Sequence, residues 1–542
     1  MSSNSTNVAG EFQAIILTQG DDNVLYPLCE EIPKSLIPIA NRPLLLYQLR
    51  LLEKAGFEDI ILVVSEQYEQ IIGEYVARAK REGAFGTDRI NISITVVEEN
   101  LGTAECIRVI GDKISSDFIV INGDLVTESI LNDMADRHRM NDATVTMLLK
   151  DKRDISTSSN DKNNNNKKNK KKAAPKKKKK ITLGPNGSTF FGFERTQNRV
   201  VYKANINDMN EDTPRLMLSK ALLRRVPNIY ITDEIEDMRL YIFSSIVVDV
   251  IKEQTEIIDI AEDLIPMLLD YQFRHVTDLP ETLRQKIGGD DILQFSSLSV
   301  VSDDDLHITN DLDRPPPSSI MLPSPRNSIK KEGSMLLRNG SPVNRKDGTR
   351  SPAASFVDKV DVMTMSTRAG RERTEREENI DLIRCFAHVL SPVNDTNVFC
   401  NRLINLEDYI PMNQVVYKMR HNPENTPWQR FEFDPALPKL KKSGSLVGAN
   451  CTIGEKVNVK NSVLGTHCKL GNNVNINNCI IMDHVIVGDN CYIKNSILCS
   501  NVNIESKCNV SDCQIGTGTH VEEGKVASKE VLTNLSSDNF FS

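Results

Sequence analysis

The chain reads as an α/β protein in two parts, a doubly wound domain followed by a parallel β-helix. Three observations point there. Short apolar runs alternate with helix-like stretches near the N-terminus. A strict 17-residue apolar period takes over after Ser443. Two low-complexity stretches interrupt the first part without ending it.

The elements of the first part follow in order. Residues 13–18 are apolar throughout, as for a buried first strand of a parallel sheet. A helix-like stretch covers residues 44–55, and strands are expected at 59–64, at Val96-Val97 and at 118–121. Residues 162–180 then hold 11 Lys, 5 Asn, two Ala and one Pro, and have nothing to bury. Residues 288–378 carry Pro315-Pro316-Pro317 and three Ser-Pro steps at Ser324, Ser341 and Ser351, again a composition without a core. Order resumes with a strand at 382–390 and a helix at 405–419. The expected domains are therefore residues 10–425, with insertions at about 151–180 and 288–378, and residues 443–525.

Composition narrows the class. The chain has 542 residues, room for two or three domains. A net charge of −8 argues against a general nucleic-acid or membrane binder, so neither partner is expected. The polar N-terminus has no apolar core for secretion, and no run of 18 apolar residues is present. Eleven cysteines in such a chain read as reduced thiols of the cytosol.

The repeat is explicit. Val447, Ile453 and Val459 are six apart, Leu464 follows after five, and the 6-6-5 spacing runs on to Ile515 and Val521. Each coil thus holds three short strands and three turns. Gly448, Gly454, Gly465, Gly471 and Gly488 are expected at turns needing φ > 0. Cys491 and Cys508 share a column with Val457 and Val474, and Cys451 and Cys468 with Val485 and Val502. Cysteine here acts as a small apolar residue rather than a metal ligand. The pattern resembles the hexapeptide-repeat left-handed β-helix, and its handedness comes from that resemblance. Some such proteins are acyltransferases with a histidine at a coil edge. His467 and His484 stack in a column that continues with Asn501 and Gly518, which fits a solvent-facing corner better.

The N-terminal part carries a linear motif. Pro27-Leu28, Pro33-Lys34, Leu36, Pro38, Asn41, Arg42 and Pro43 resemble the signature of sugar-nucleotide pyrophosphorylases. Gly102-Thr103-Ala104 resembles the segment that borders base and sugar, and Gly123-Asp124 the pair whose carboxylate holds the metal. The resemblance implies a nucleotidyltransferase-like, Rossmann-like domain. In that family a glycine loop offers backbone N–H groups to a triphosphate and an arginine balances the pyrophosphate charge. Here the loop reads Gln19-Gly20-Asp21-Asp22-Asn23-Val24. Asp22 stands in a glycine position and Val24 in the arginine position. One lost preorganised contact costs about 100- to 1000-fold in rate, so turnover is expected to be gone. Gly20, Lys34, Gly102 and Asp124 remain as vestigial binding candidates, with no catalytic or metal-binding residue and no cofactor. The plainer reading, which the broken cradle favours, puts Lys34 on the surface and Asp124 in a strand-end turn.

A nucleotidyltransferase-like domain followed by a hexapeptide β-helix resembles GDP-mannose pyrophosphorylases and the gamma and epsilon subunits of translation initiation factor 2B. The degraded loop favours the latter pair. Epsilon carries a further C-terminal exchange domain, whereas about twenty residues follow Val521 here, so a gamma-type chain is expected. That resemblance implies a non-catalytic, cytosolic subunit that pairs with epsilon. It sits in a decamer with the alpha, beta and delta subunits, and the complex replaces GDP by GTP on translation initiation factor 2. The alternative is a mannose-1-phosphate guanylyltransferase.

Overall fold

The computed structural model describes residues 8–19, 22–84, 90–127, 130–152, 189–194, 198–205, 216–274, 278–284, 383–391, 398–420 and 444–533. Gly20, Asp21, nearly all of the first insertion and the whole second insertion lie outside them.

Seven strands form the central sheet. In spatial order they are Cys385–Leu390, Val145–Asp151, Ile235–Phe243, Phe118–Asn122, Gln13–Leu17, Asp59–Ser65 and Asn91–Val97. All neighbours pair in parallel except the two contacts of Ile235–Phe243, which are antiparallel. Alternate side chains enter opposite cores, as the pleat requires. Ala14, Ile16, Ile119 and Ile121 face helices Leu44–Lys54, Glu69–Arg81, Leu131–Met140 and Leu406–Arg420. Ile15, Leu17, Phe118 and Val120 face helices Thr103–Ile110, Ile246–Glu253 and Ile265–Tyr271. Helices on both faces make the sheet doubly wound. Elements not anticipated include the central strand Val145–Asp151, the antiparallel strand Ile235–Phe243, and a small sheet of Thr189–Glu194, Val200–Asn205 and Ile229–Thr232. The last two follow the first insertion, where local pattern gives no register.

The strand Cys385–Leu390 pairs with Val145–Asp151, from Cys385↔Val145 to Leu390↔Lys150. The chain therefore returns to the same sheet across more than two hundred residues.

From Leu446 to Leu532 the chain winds into three stacked parallel ladders, one of six strands and two of five. Every register shift is 17 residues, as in Val459↔Ile476 and Ile476↔Ile493. The ladder continues past Val521 through Val526–Ser528 and Val531–Leu532. Leu464, Leu470, Ile476, Ile481, Val487 and Ile493 fill the axis together with Cys468, Cys491 and Cys508. Burial pushes the Cys479 thiol up to about 12, as befits an inert packing residue.

The turn glycines play a different part from the one expected. None of Gly448, Gly454, Gly465, Gly471 and Gly488 has positive φ. The left-handed corners are taken instead by Asn450, Lys456, Asn461, His467, Asn473, Asn478, His484, Asn490, Asn495 and their repeats. Asn tolerates that conformation best after glycine. The glycines are needed because the next coil passes too close: a Cβ on Gly488 would lie 2.7 Å from the Ser506 nitrogen and 2.8 Å from the Glu505 carbonyl carbon. His467 and His484 are exposed corner residues, stacked with ring centroids 4.9 Å apart and planes 1° apart.

One ladder faces the first domain. Leu446, Val463, Ile480 and Ile497 point out of the coil and join the same core as Leu28, Ile37, Ile39 and Tyr409. Each such burial contributes about 1.5–3 kcal/mol. On the other two faces the outward residues are mostly polar, such as Thr452, Lys469, Asn475 and Asn509.

The coil geometry makes a contrast that urea unfolding can read. Gly488→Ala forces backbone apart and is expected to lower stability by about 1–3 kcal/mol. Cys508→Val, in a column that already alternates the two residues, should stay within about 1.5 kcal/mol of the parent. Equal midpoints for the two variants would contradict the close-approach role of the glycine.

Candidate functional site

In an open α/β sheet, ligands bind beyond the C-terminal ends of the strands where the winding reverses. Here that point lies between Gln13–Leu17 and Phe118–Asn122. Gly123 makes the turn, because its N–H donates to the Leu17 carbonyl at 2.7 Å and a Cβ would stand 3.0 Å from that same oxygen. Gln48 holds the turn from below, its Nε2 donating to the Asn122 and Leu125 carbonyls at 3.0 and 3.2 Å. These contacts aim the Asp124 side chain inward.

Asp124 is 2% exposed and is enclosed by cations. Arg402 Nε donates to its Oδ1 at 3.1 Å and Arg402 Nη2 to its Oδ2 at 2.8 Å, a two-pronged pair. Lys34 Nζ adds a third contact to Oδ2 at 3.3 Å. Burial alone would raise the carboxyl, but the Arg402 guanidinium and Lys34 ammonium outweigh it and hold Asp124 far below the usual carboxylate range. For Arg402, burial works against the charged form, and Asp124 more than compensates, raising it above its ordinary value.

Arg402 belongs to strand Cys400–Arg402, which pairs antiparallel with Leu125–Thr127 in the register Arg402↔Leu125. The Leu403 N–H donates to the Asp124 carbonyl at 2.9 Å and closes the pairing. Beyond it, Arg402 Nη1 donates to the Asp237 carbonyl at 3.2 Å. The Asp237 side chain accepts from Tyr241 Oη at 2.8 Å and lies 3.7 Å from Lys203 Nζ.

The four candidates fare differently. Gly20 lies outside the described residues. Lys34 is not a surface residue, since its side chain is 13% exposed and meets Asp124. Asp124 does more than finish a turn, because an ion-pair network closes on it. Gly102 is packed rather than open: a Cβ there would collide with the Ile258 carbonyl, which also accepts from the Ala104 N–H at 2.9 Å. Thr103 Oγ1 donates to Asp259 Oδ2 at 3.0 Å and accepts from the Ile260 N–H at 2.8 Å. The 258–261 segment therefore lies directly against Gly102-Thr103-Ala104. Arg108 fastens its approach, donating to the Ile251, Gln254 and Ile257 carbonyls. The space left, lined by Leu17, Thr103, Asn122, Tyr241, Asp259 and Ile260, is a cavity of about 10 Å³, room for about one water molecule. Small-molecule sites usually offer roughly 300–1,000 Å³. Val24, in the position of the expected arginine, is 47% exposed.

A divalent ion does not fit the Asp124 position. A metal bound at about 2.0–2.6 Å from those oxygens would face two fixed cations within a few ångströms. Each unit-charge pair at 4 Å opposes it by about 4 kcal/mol at an effective dielectric of 20. Among the described residues no group of three or more His, Cys, Asp or Glu side chains is arranged to hold a metal. Arg402 and Asp237 escaped the sequence reading because no motif marks them; Arg402 lies 278 residues from its partner.

Known proteins place this geometry in context. Residues 13–157 match the nucleotidyl transferase family model, and residues 439–529 match the model described as the EIF2B subunit epsilon LbH domain. Translation initiation factor eIF2B subunit gamma of Dictyostelium discoideum is 31% identical over 292 residues, 49% of this chain and 59% of the relative. The same subunit of Schizosaccharomyces pombe is 26% identical over 282 residues, 51% of this chain and 55% of the relative. The chain is similar to the gamma subunit of eIF2B. The match spans little more than half the length of these relatives. Mannose-1-phosphate guanyltransferase of Saccharomyces cerevisiae is 32% identical over a shorter stretch, 130 residues, 23% of this chain and 34% of the relative. The β-helix is the left-handed kind, and the first domain is a nucleotidyltransferase domain on a Rossmann-like sheet.

Removing one partner of the buried pair exposes its worth. Arg402→Ala is expected to cost about 3–5 kcal/mol, because Asp124 keeps its charge with Lys34 alone. The pH dependence has a defined sign. A carboxyl depressed on folding stabilises above its unfolded value near 4 and loses that contribution as the pH falls through the folded value. The stability difference between the parent and Asp124→Asn, read by thermal unfolding, should therefore be large at pH 7 and shrink below about pH 4. A difference that stays constant into acid would contradict a charged Asp124.

Proposed function

We propose that this chain is a non-catalytic subunit of translation initiation factor 2B, the exchange factor that replaces GDP by GTP on translation initiation factor 2. The observation that carries this reading is the extent of likeness. Similarity to the two gamma subunits runs over 292 and 282 residues, whereas similarity to the guanyltransferases stops after 130 to 139. The geometry of the first domain supports it. The carboxylate at the strand end is held by two side-chain cations, and the cavity beside it is smaller than a nucleotide site.

In this role the chain pairs with the epsilon subunit and joins the alpha, beta and delta subunits in a decamer, two copies of each. The β-helix suits a scaffold, being a rigid prism whose buried outward column is taken up by the first domain and whose other faces are mostly polar. No helix among the described residues is long and apolar enough to cross a membrane, and the cytosol is the compartment in which this assembly works.

The guanyltransferase reading rests on one observation, the 32% identity of the N-terminal segment to the Saccharomyces cerevisiae enzyme. Two measurements separate the readings. Affinity purification of the tagged chain from its own cells should recover the other four subunits in near-stoichiometric amounts. Purified chain given GTP, Mg²⁺ and mannose-1-phosphate should release no pyrophosphate above background. Recovery of the chain alone, or clear turnover, would overturn the proposal.

A further inference from the structure

The cation at the switch point is part of the chain. Both oxygens of a buried Asp124 are occupied, Oδ1 by Arg402 Nε and Oδ2 by Arg402 Nη2 and Lys34 Nζ. The guanidinium is itself anchored, by the Asp237 carbonyl on Nη1 and by backbone pairing of its strand with Leu125–Thr127. The carboxylate that should meet a metal in the resembled enzymes thus meets a tethered, permanently charged side chain instead.

We propose that Arg402 is the resident cation of this site, standing where a divalent ion would otherwise sit on Asp124. The proposal rests on the reading that the domain has left nucleotidyl transfer, and it names the residue that bars metal from the site. Three features of the guanidinium suit the task. It is planar and forks onto both carboxylate oxygens, which fixes Asp124 in one rotamer. It does not deprotonate at physiological pH, so the site never becomes vacant. Its charge is single and already balanced, so the pocket has no net pull on a second cation.

This assigns a use to the chain beyond the second insertion. Without strand Cys400–Arg402, Asp124 would keep Lys34 as its ion-pair partner and lose the guanidinium. With it, the site is shut from the side by a segment that arrives 278 residues later.

The test uses Mn²⁺ as the probe, with binding to purified full chain followed by electron paramagnetic resonance of the free ion. The parent and Asp124→Asn should give the same isotherm, since Asp124 takes no metal while Arg402 is present. Arg402→Ala should gain a saturable site, raising Mn²⁺ affinity by about tenfold or more over the parent. The double variant Arg402→Ala/Asp124→Asn should lose that gain. Arg402→Gln serves as the second variant if circular dichroism finds Arg402→Ala unfolded, because it keeps a hydrogen-bond donor while removing the charge. Asp124-dependent Mn²⁺ binding by the parent would overturn the inference. So would a folded Arg402→Ala or Arg402→Gln protein with no gain. Pyrophosphate release by the parent would defeat the underlying reading instead. Asp124-dependent Mn²⁺ binding by the parent without pyrophosphate release would defeat this inference alone.

Discussion

The pairing of Asp124 with Arg402 is the contact on which the order of the molecule depends. It joins the end of a central strand to a segment that returns after the second insertion. From Arg402 the chain enters helix Leu406–Arg420, whose Tyr409, Met412, Asn413, Val416 and Tyr417 line one face at helical spacing. Tyr409 Oη donates to the Pro38 carbonyl at 2.7 Å, and Asn413 Oδ1 accepts from the Ala40 N–H at 2.6 Å. The hairpin of Pro38–Ile39 and Arg42–Pro43, to which Ala40 belongs, in turn touches the β-helix, with Asn41 Nδ2 donating to the Leu464 carbonyl at 2.6 Å. Helix side chain Gln414 reaches Asn478 directly. A buried ion pair therefore sets the helix, the helix sets the hairpin, and both set the prism.

This chain of contacts gives the surviving motif residues a structural use. Pro38–Ile39 pairs with Arg42–Pro43, and Ala40 and Asn41 between them have φ of 48° and 61°. Two left-handed residues make the tight turn that matches strand twist. The same stretch holds Lys34, which touches Asp124. In an enzyme these residues would be read as catalytic support. Here their visible contacts are the docking of one domain on another and the charge balance of one carboxylate. A motif can thus persist in a chain whose glycine loop has changed, because packing constrains it independently of chemistry.

The β-helix separates two reasons for a short residue at a bend. Corners need left-handed backbone and accept Asn, His, Lys and Asp, whose side chains reach solvent. Two residues before a corner, Gly448, Gly454, Gly465, Gly471 and Gly488 sit where the following coil passes too close for a Cβ, while the same columns carry Met482, Cys499, Glu505 and Glu522 in other coils. The two columns lie two residues apart in sequence, and both are mostly small or polar, so spacing alone does not separate them. Asparagine also hydrogen-bonds along its column, as from Asn478 Nδ2 to Asn495 Oδ1 and from Asn495 Nδ2 to Asp512 Oδ1, both at 2.9 Å.

Period and local apolar runs determined the architecture from sequence alone. The 17-residue coil, the alternating cysteines and valines, and the strands expected at 13–18, 59–64 and 118–121 are local patterns, and a local pattern fixes which face of an element is buried. The outward column Leu446, Val463, Ile480 and Ile497, which marks the face that docks, was not read from the sequence and emerged from the packing. The candidate site was legible only in half, through Lys34, Gly102 and Asp124. Arg402, Asp237 and the segment over Gly102 were decided by tertiary structure, because each comes from a strand or loop whose partner lies more than a hundred residues away. Spacing along the chain carries no information about such a meeting. Only the closed sheet brings the guanidinium to the carboxylate.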